Sequence, residues 1–153
     1  MEYIPEVITL IISLIVAVVT SYISVHLTLK RYKSEKWWDS RLTCYTDVLT
    51  NLSIIVTYSD IILDIKLDSI DHDKNTVNVL KSSFNEALIN LQKLAHTGAL
   101  LLDKESHKAL MDYYTYQGHV ETSCTDSYKL SLLRNAAEAA IDTITIQGKS
   151  TLL

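Results

Sequence analysis

The chain has little of what bends or breaks regular structure: three Gly and one Pro in 153 residues. Hairpins and sandwiches need a turn residue about every 8–12 positions, so a β-rich fold is disfavoured. Two Cys do not make a disulfide framework. Charge excess is also small, a formal net of −4, which gives no electrostatic case for nucleic acid as a partner. With 48% hydrophobic and 21% charged residues, wholesale disorder is excluded. The length suits one compact domain with an appendage. The class that survives is all-α.

The charges are unevenly placed. Residues 1–6 hold Glu2 and Glu6 and no base, whereas 30–41 carry a net +3 and 42–153 a net −5. Between the first two lies the longest uncharged run, Val7 to Leu29. As a helix those residues rise about 34 Å, enough to cross a hydrocarbon core with modest tilt. Pro5 suits the first turn of that helix, where its missing N–H is not needed. An acidic start and a long apolar run argue against a cleaved signal peptide and for a retained anchor. Lys30, Arg31, Lys33 and Lys36 follow directly, and the positive-inside rule places that side in the cytoplasm and the N-terminus outside. The expected location is the inner membrane, crossed once. Tyr3, Tyr32, Trp37 and Trp38 suit interfacial positions, with Arg41 closing the basic stretch. The domain reading is therefore a tip and transmembrane helix over 1–29, a basic juxtamembrane segment over 30–41, and a cytoplasmic helical bundle over 42–153.

Within the apolar run the small residues are Thr9, Ser13, Ala17, Thr20, Ser21, Ser24 and Thr28. At 100° per residue they fall within an arc of about 120°. Membrane helices associate through small residues that permit close approach and hydroxyls that bond across. The stripe reads as a helix–helix face, as the wall of a wet pore, or as incidental hydroxyls satisfied by their own i−4 carbonyls. His26 lies off it and reads as an interfacial histidine.

After Pro5 no Gly or Pro interrupts the chain until Gly98. A first helix is expected to run unbroken to about Lys66, its inner face carrying Trp38, Leu42, Tyr45, Leu49, Leu52, Val56 and Leu63 with Ser59 completing the register, widened by Val48, Ile55 and Ile62. Asp64, Asp68, Asp71, His72 and Asp73 mark a polar turn in which Asp71 or Asp73 caps a second helix. They do not form a calcium loop, which needs a glycine and a closing glutamate at fixed spacing. The second helix covers about 74–102, with Asp103 capping a third over 104–117. A loop follows over 118–126. A fourth helix covers 126–147, with Leu130, Leu133, Ala137, Ala140 and Ile144 inward and Gly148 placed to end it. Four such helices with short connections make an antiparallel bundle.

No phosphate loop, GxSxG elbow, HExxH or CxxC occurs, so neither a catalytic constellation nor a cofactor is expected. Cys44 and Cys124 read as free thiols, and His96, His107 and His119 as surface or satisfied histidines. The sequon at Asn51-Leu52-Ser53 falls on the cytoplasmic side and is expected unmodified. Tyr113, Tyr114 and Tyr116 read either as a partner surface or as half-buried bundle tyrosines.

Trp38, Arg41 and Tyr45 form W-x-x-R-x-x-x-Y just after the apolar run, followed by Val48, Leu49 and Leu52. By its spacing of three and four this row shares one helical face, read either as aromatics packing into the bundle with Arg41 stacking or snorkelling beside them, or as a binding role for Arg41. With the Ala99–Asp103 break and the alanines 136, 137, 139 and 140, the chain resembles small single-pass bacterial proteins in which an N-terminal anchor leads into a cytoplasmic helical bundle. Some of those are effectors or accessory proteins of phage-defence operons. The resemblance implies a bacterial or phage source and no catalytic residues. The expected function is a self-associating, membrane-anchored bundle, as a defence effector that perturbs the membrane when assembled. The alternative is a tether or adaptor whose bundle binds a cytosolic protein.

Overall fold

The computed structural model describes residues 3–68, 73–120 and 127–152. These residues form four α-helices and no strand: α1 (Tyr3–Leu63), α2 (Lys74–Thr97), α3 (Lys104–Val120) and α4 (Ser127–Leu152). By compactness the chain divides into two units, 1–39 and 40–153. Asp71, His72, Cys124 and the connection over 121–126 lie outside the described residues.

Unit 1 is helix throughout its described part, the beginning of α1. It contains a segment long and apolar enough to cross a membrane, and none of that segment is buried inside the fold. Large side chains such as Ile12, Leu14, Val18 and Tyr22 are exposed along it.

Unit 2 is a helical bundle with its own core. Val48, Leu52 and Ile55 of α1, Leu91 of α2, Leu110 of α3 and Ala137 and Ile144 of α4 are fully buried. Burying each of the larger ones stabilises the fold by about 1.5–3 kcal/mol. The inner row of α1 steps through Tyr45, Val48, Leu52, Ile55 and Ser59. It is narrower than the expected face: Leu42 is 45% exposed, and Leu49 and Val56 are only half-buried. The broad apolar face is periodic throughout in sequence, and tertiary packing selects its inner edge. On α4 the expected face is the observed one, with Leu130, Leu133, Ala137, Ala140 and Ile144 all buried.

Helix ends follow local chemistry. One π-helical turn, Asp64–Asp68, closes α1. Asp73 caps α2, its carboxylate accepting from the Thr76 N–H and hydroxyl, both at 3.1 Å. These hydrogen bonds, the backbone one first, hold the Asp73 carboxyl below its ordinary range. A 3₁₀ turn, Gly98–Leu100, follows α2. A side chain at Gly98 would place Cβ 2.9 Å from Leu102 Cδ1, so the Leu102 side chain would have to shift to admit it.

Two expected breaks are not found. α3 continues through Gly118 to Val120, and α4 through Gly148 to Leu152, beyond the ends expected at 117 and 147. Gly148 is buried, and a Cβ there would lie 3.1 Å from the Tyr45 ring. Its role is close helix packing, not termination.

Candidate functional site

Two features of α1 carry the sequence expectations: the apolar segment in unit 1 and the residues that begin the α1 portion of unit 2.

In unit 1 the stripe residues Thr9, Ser13, Ala17, Thr20, Ser21, Ser24 and Thr28 are all helical and exposed. The Thr28 hydroxyl donates to the Ser24 carbonyl at 2.8 Å, the i−4 bond by which a hydroxyl is satisfied within its own helix. At 100° per residue Leu10 and Leu27 also fall on the arc, so the small residues are flanked by larger ones near both ends. On the opposite side the rings of Tyr22 and His26 stack, with centroids 6.4 Å apart and planes at 16°. Spacing of i and i+4 makes this pair legible in the sequence. Beyond Leu29, Lys30, Arg31, Tyr32, Lys33, Lys36 and Trp37 are exposed, as interfacial anchors would be. Arg31 Nε pairs with Glu35 Oε1 at 2.8 Å, and both side chains are well exposed, so the pair contributes little to stability.

In unit 2 the W-x-x-R-x-x-x-Y motif acquires a structural role that sequence reasoning missed. Arg41 does not stack on an aromatic ring. Its Nε donates to the Leu101 carbonyl at 2.8 Å, satisfying an acceptor in the turn between α2 and α3. One helical turn later Tyr45, almost wholly buried, donates its hydroxyl to Asp103 Oδ2 and accepts the Asp103 N–H at 3.2 Å. Asp103 is also the N-cap of α3: Oδ1 accepts the N–H groups of Glu105 (2.9 Å) and Ser106 (3.0 Å), and Oδ2 the Ser106 hydroxyl. Burial would raise the Asp103 pKa, but hydrogen bonds from Ser106, Tyr45 and the two backbone groups outweigh it and hold the carboxyl below its usual range. The partners lie about 60 residues apart in sequence, so local periodicity carries no sign of them. The one cue is that a capping Asp follows the break.

The three tyrosines separate. Tyr113 is 2% exposed and belongs to the core, which removes it from any partner surface. Tyr114 is half-buried and meets the His96 ring edge-on at 5.6 Å. Tyr116 is half-buried and borders a shallow, alanine-lined depression between α3 and α4. A ring nitrogen of His107 is 2.9 Å from the Ala95 carbonyl, a satisfied histidine. Cys44 is a buried free thiol, its pKa raised by burial and then by the charge of Asp47. Among the described residues no group of three or more His, Cys, Asp or Glu side chains could hold a metal ion.

A further tie unread in the sequence joins α4 to α1. Arg134 Nε pairs with Asp60, and Arg134 Nη1 lies 2.9 Å from Glu138 Oε2. Arg134 at i and Glu138 at i+4 were visible as a helical pair; Asp60 was not.

No protein-family model matches this chain. No curated protein and no solved structure matches it either. Of the W-x-x-R-x-x-x-Y motif, Arg41 and Tyr45 hold the α2–α3 turn in place.

Proposed function

We propose that this chain is a non-catalytic, single-pass membrane protein that self-associates through its anchor. The observation that carries the reading is the helix over residues 11–29: it has no charged side chain, and its large apolar groups are exposed, with nothing in the fold covering them. Leaving that surface in water would be costly, and a bilayer is the solvent that removes the cost. The basic residues 30–36 favour a cytoplasmic C-terminal body in a bacterial inner membrane, with the N-terminus outside.

An antiparallel bundle for that body is supported by two contacts in reversed order: Tyr45 lies against Gly148, and Asp60 against Arg134. The small-residue stripe is the proposed contact between anchors. Local satisfaction of the Thr28 hydroxyl fits a dry helix–helix contact or an incidental hydroxyl better than a pore wall, because the donor needs no water. In its sharpest form the assembly is an effector that perturbs the membrane, and the phage-defence setting is taken from the resemblance alone.

The tether reading is favoured by one observation. An apolar groove of about 340 Å³ runs between α1 and α4, lined by Leu42, Tyr45, Leu49, Ile144 and Gly148. Exchange of the anchor for an unrelated transmembrane helix separates the two. A self-associating effector loses its activity on the exchange, whereas a tether keeps its partner and its function. Retained activity would remove the anchor stripe from the account.

A further inference from the structure

Five residues of unit 1 share one side of its helix: Tyr22, His26, Lys30, Lys33 and Trp37. At 100° per residue they fall within an arc of about 80°, and no other residue between 22 and 37 falls inside it. All five are exposed, and the Tyr22 and His26 rings already stack on one another.

The charges of this stretch are divided by face. Glu35 lies about 180° from the middle of the row and Asp39 about 140° from it. Glu35 is engaged by Arg31, which is off the row. Among the described residues neither Lys30 nor Lys33 has an ion-pair partner. The row therefore presents two positive charges and no acid. The positive-inside rule counts bases near a membrane end without regard to face, so it does not account for this separation.

Depth supplies the rest of the geometry. Leu29 ends the uncharged run, so in a spanning helix Lys30 stands at the edge of the hydrocarbon. Lys33 and Trp37 follow about 5 and 11 Å farther along the axis, beside a headgroup layer about 5–7 Å thick. In an α-helix each Cβ leans toward the N-terminus, here toward the bilayer, so Trp37 leans back to the level of the lysines. Tyr22 and His26 lie about 12 and 6 Å before Lys30, at the level of the acyl chains. Lys30 and Lys33 are one turn apart, close enough for both ammonium groups to meet one anion.

Two ammonium groups and an indole N–H suit the oxygens of a phosphodiester. A zwitterionic headgroup brings its own cation to that phosphate. An anionic headgroup does not, and only its net charge balances a face that holds two bases and no acid.

We infer that Tyr22, His26, Lys30, Lys33 and Trp37 form a binding site for an anionic glycerophospholipid. The phosphate is held by Lys30, Lys33 and the Trp37 N–H, and an acyl chain lies along the Tyr22–His26 pair. The small-residue stripe is on the opposite side of the helix, so an anchor joined to a second copy through the stripe keeps this face to lipid. The inference rests on the membrane anchoring proposed above and not on self-association.

The test is titration of the intact chain in mild detergent with phosphatidylglycerol, or with phosphatidylcholine of the same acyl chains, bound lipid being counted by native mass spectrometry. Phosphatidylglycerol should bind the more tightly. Lys30→Gln with Lys33→Gln should weaken its binding about 30-fold, the effect of two lysines beside an anionic lipid surface. Arg31→Gln with Lys36→Gln removes the same charge from outside the row and should leave most of the affinity. Equal binding of the two lipids, or equal weakening by the two pairs, would overturn the inference. Alkaline carbonate extraction of cell membranes carrying the full chain separates this from failure of the anchor. A chain retained in the bilayer without lipid preference overturns the inference alone, whereas a chain released to the supernatant overturns the anchor reading and the inference with it.

Discussion

Replacing Asp103 by Ala should destabilise the helical body by about 2–4 kcal/mol. The carboxylate has two tasks. As N-cap of α3 it satisfies two backbone N–H groups, and loss of such a cap costs about 1 kcal/mol, within a range of about 0.5–2. It also accepts the hydroxyl of Tyr45, whose side chain is buried, and a buried donor left without its acceptor costs about 1–3 kcal/mol. Tyr45→Phe keeps the cap and the ring against Gly148 but removes the hydroxyl that donates to the Asp103 carboxylate and accepts the Asp103 N–H, so about 1–2 kcal/mol is expected. Because the two residues share one network, the double variant should cost less than the sum of the single ones, by about 1 kcal/mol. The assay is urea unfolding of the full chain in a mild detergent, followed by circular dichroism, with equal m-values required before free energies are compared. Single-variant effects that add within about 0.5 kcal/mol would refute the shared network. A loss below about 1 kcal/mol for Asp103→Ala would refute the double role.

The same carboxyl sets a pH dependence. Its folded-state pKa is depressed, so its contribution is fully present above the unfolded value of about 3.9 and is lost as pH falls through the lower folded value. Acid unfolding below about pH 4 should therefore be less steep for Asp103→Asn than for the unchanged chain, and equal steepness would count against the assigned hydrogen bonds. Gly148→Leu should destabilise by about 1–3 kcal/mol or more despite leucine's better helix propensity, because the Tyr45 ring occupies its space and is fastened to Asp103; a stabilised variant would show that α4 packs elsewhere. Arg134→Gln should cost no more than about 1 kcal/mol, since Arg134 and its two acidic partners keep appreciable solvent exposure; several kcal/mol would show a tie closed off from water. Cys44 should react with a thiol reagent only on unfolding, given its burial and raised pKa; rapid labelling of the folded chain would contradict its place in the core.

What was legible in the sequence follows from the range of each signal. The α4 face was read residue by residue because alanine and leucine recur there at three and four with no competing row. The cap at Asp103 was legible because capping is local, and the one at Asp73 as one of two candidates with Asp71. On α1 the expected face is broader than the buried one: Tyr45, Val48, Leu52 and Ile55 on it are buried, while Leu42 is exposed and Leu49 half-buried. Only packing against the other helices narrows it. Gly148 was misread as a stop because a helix-ending glycine and a glycine cleared for a neighbour's ring look alike until Tyr45 is in place. Gly118 was misread by the same rule, and α3 carries it within the helix. The contacts of Arg41 and Tyr45 with the α2–α3 turn were hidden by sequence distance. The apolar helix and its small-residue stripe were legible in full, since both depend on one helix period. The local bond of the Thr28 hydroxyl, which bears on a dry contact against a wet pore, required the structure.

The central claim is that the anchor self-associates. Its most direct measurement is the mass of the intact chain in mild detergent, corrected for bound detergent, over a range of protein concentrations, beside the variant Thr20→Leu with Ser24→Leu. The account predicts one discrete oligomer for the unchanged chain and a monomer for the variant. A monomer at every concentration, or an oligomer that the two leucines leave intact, would contradict it.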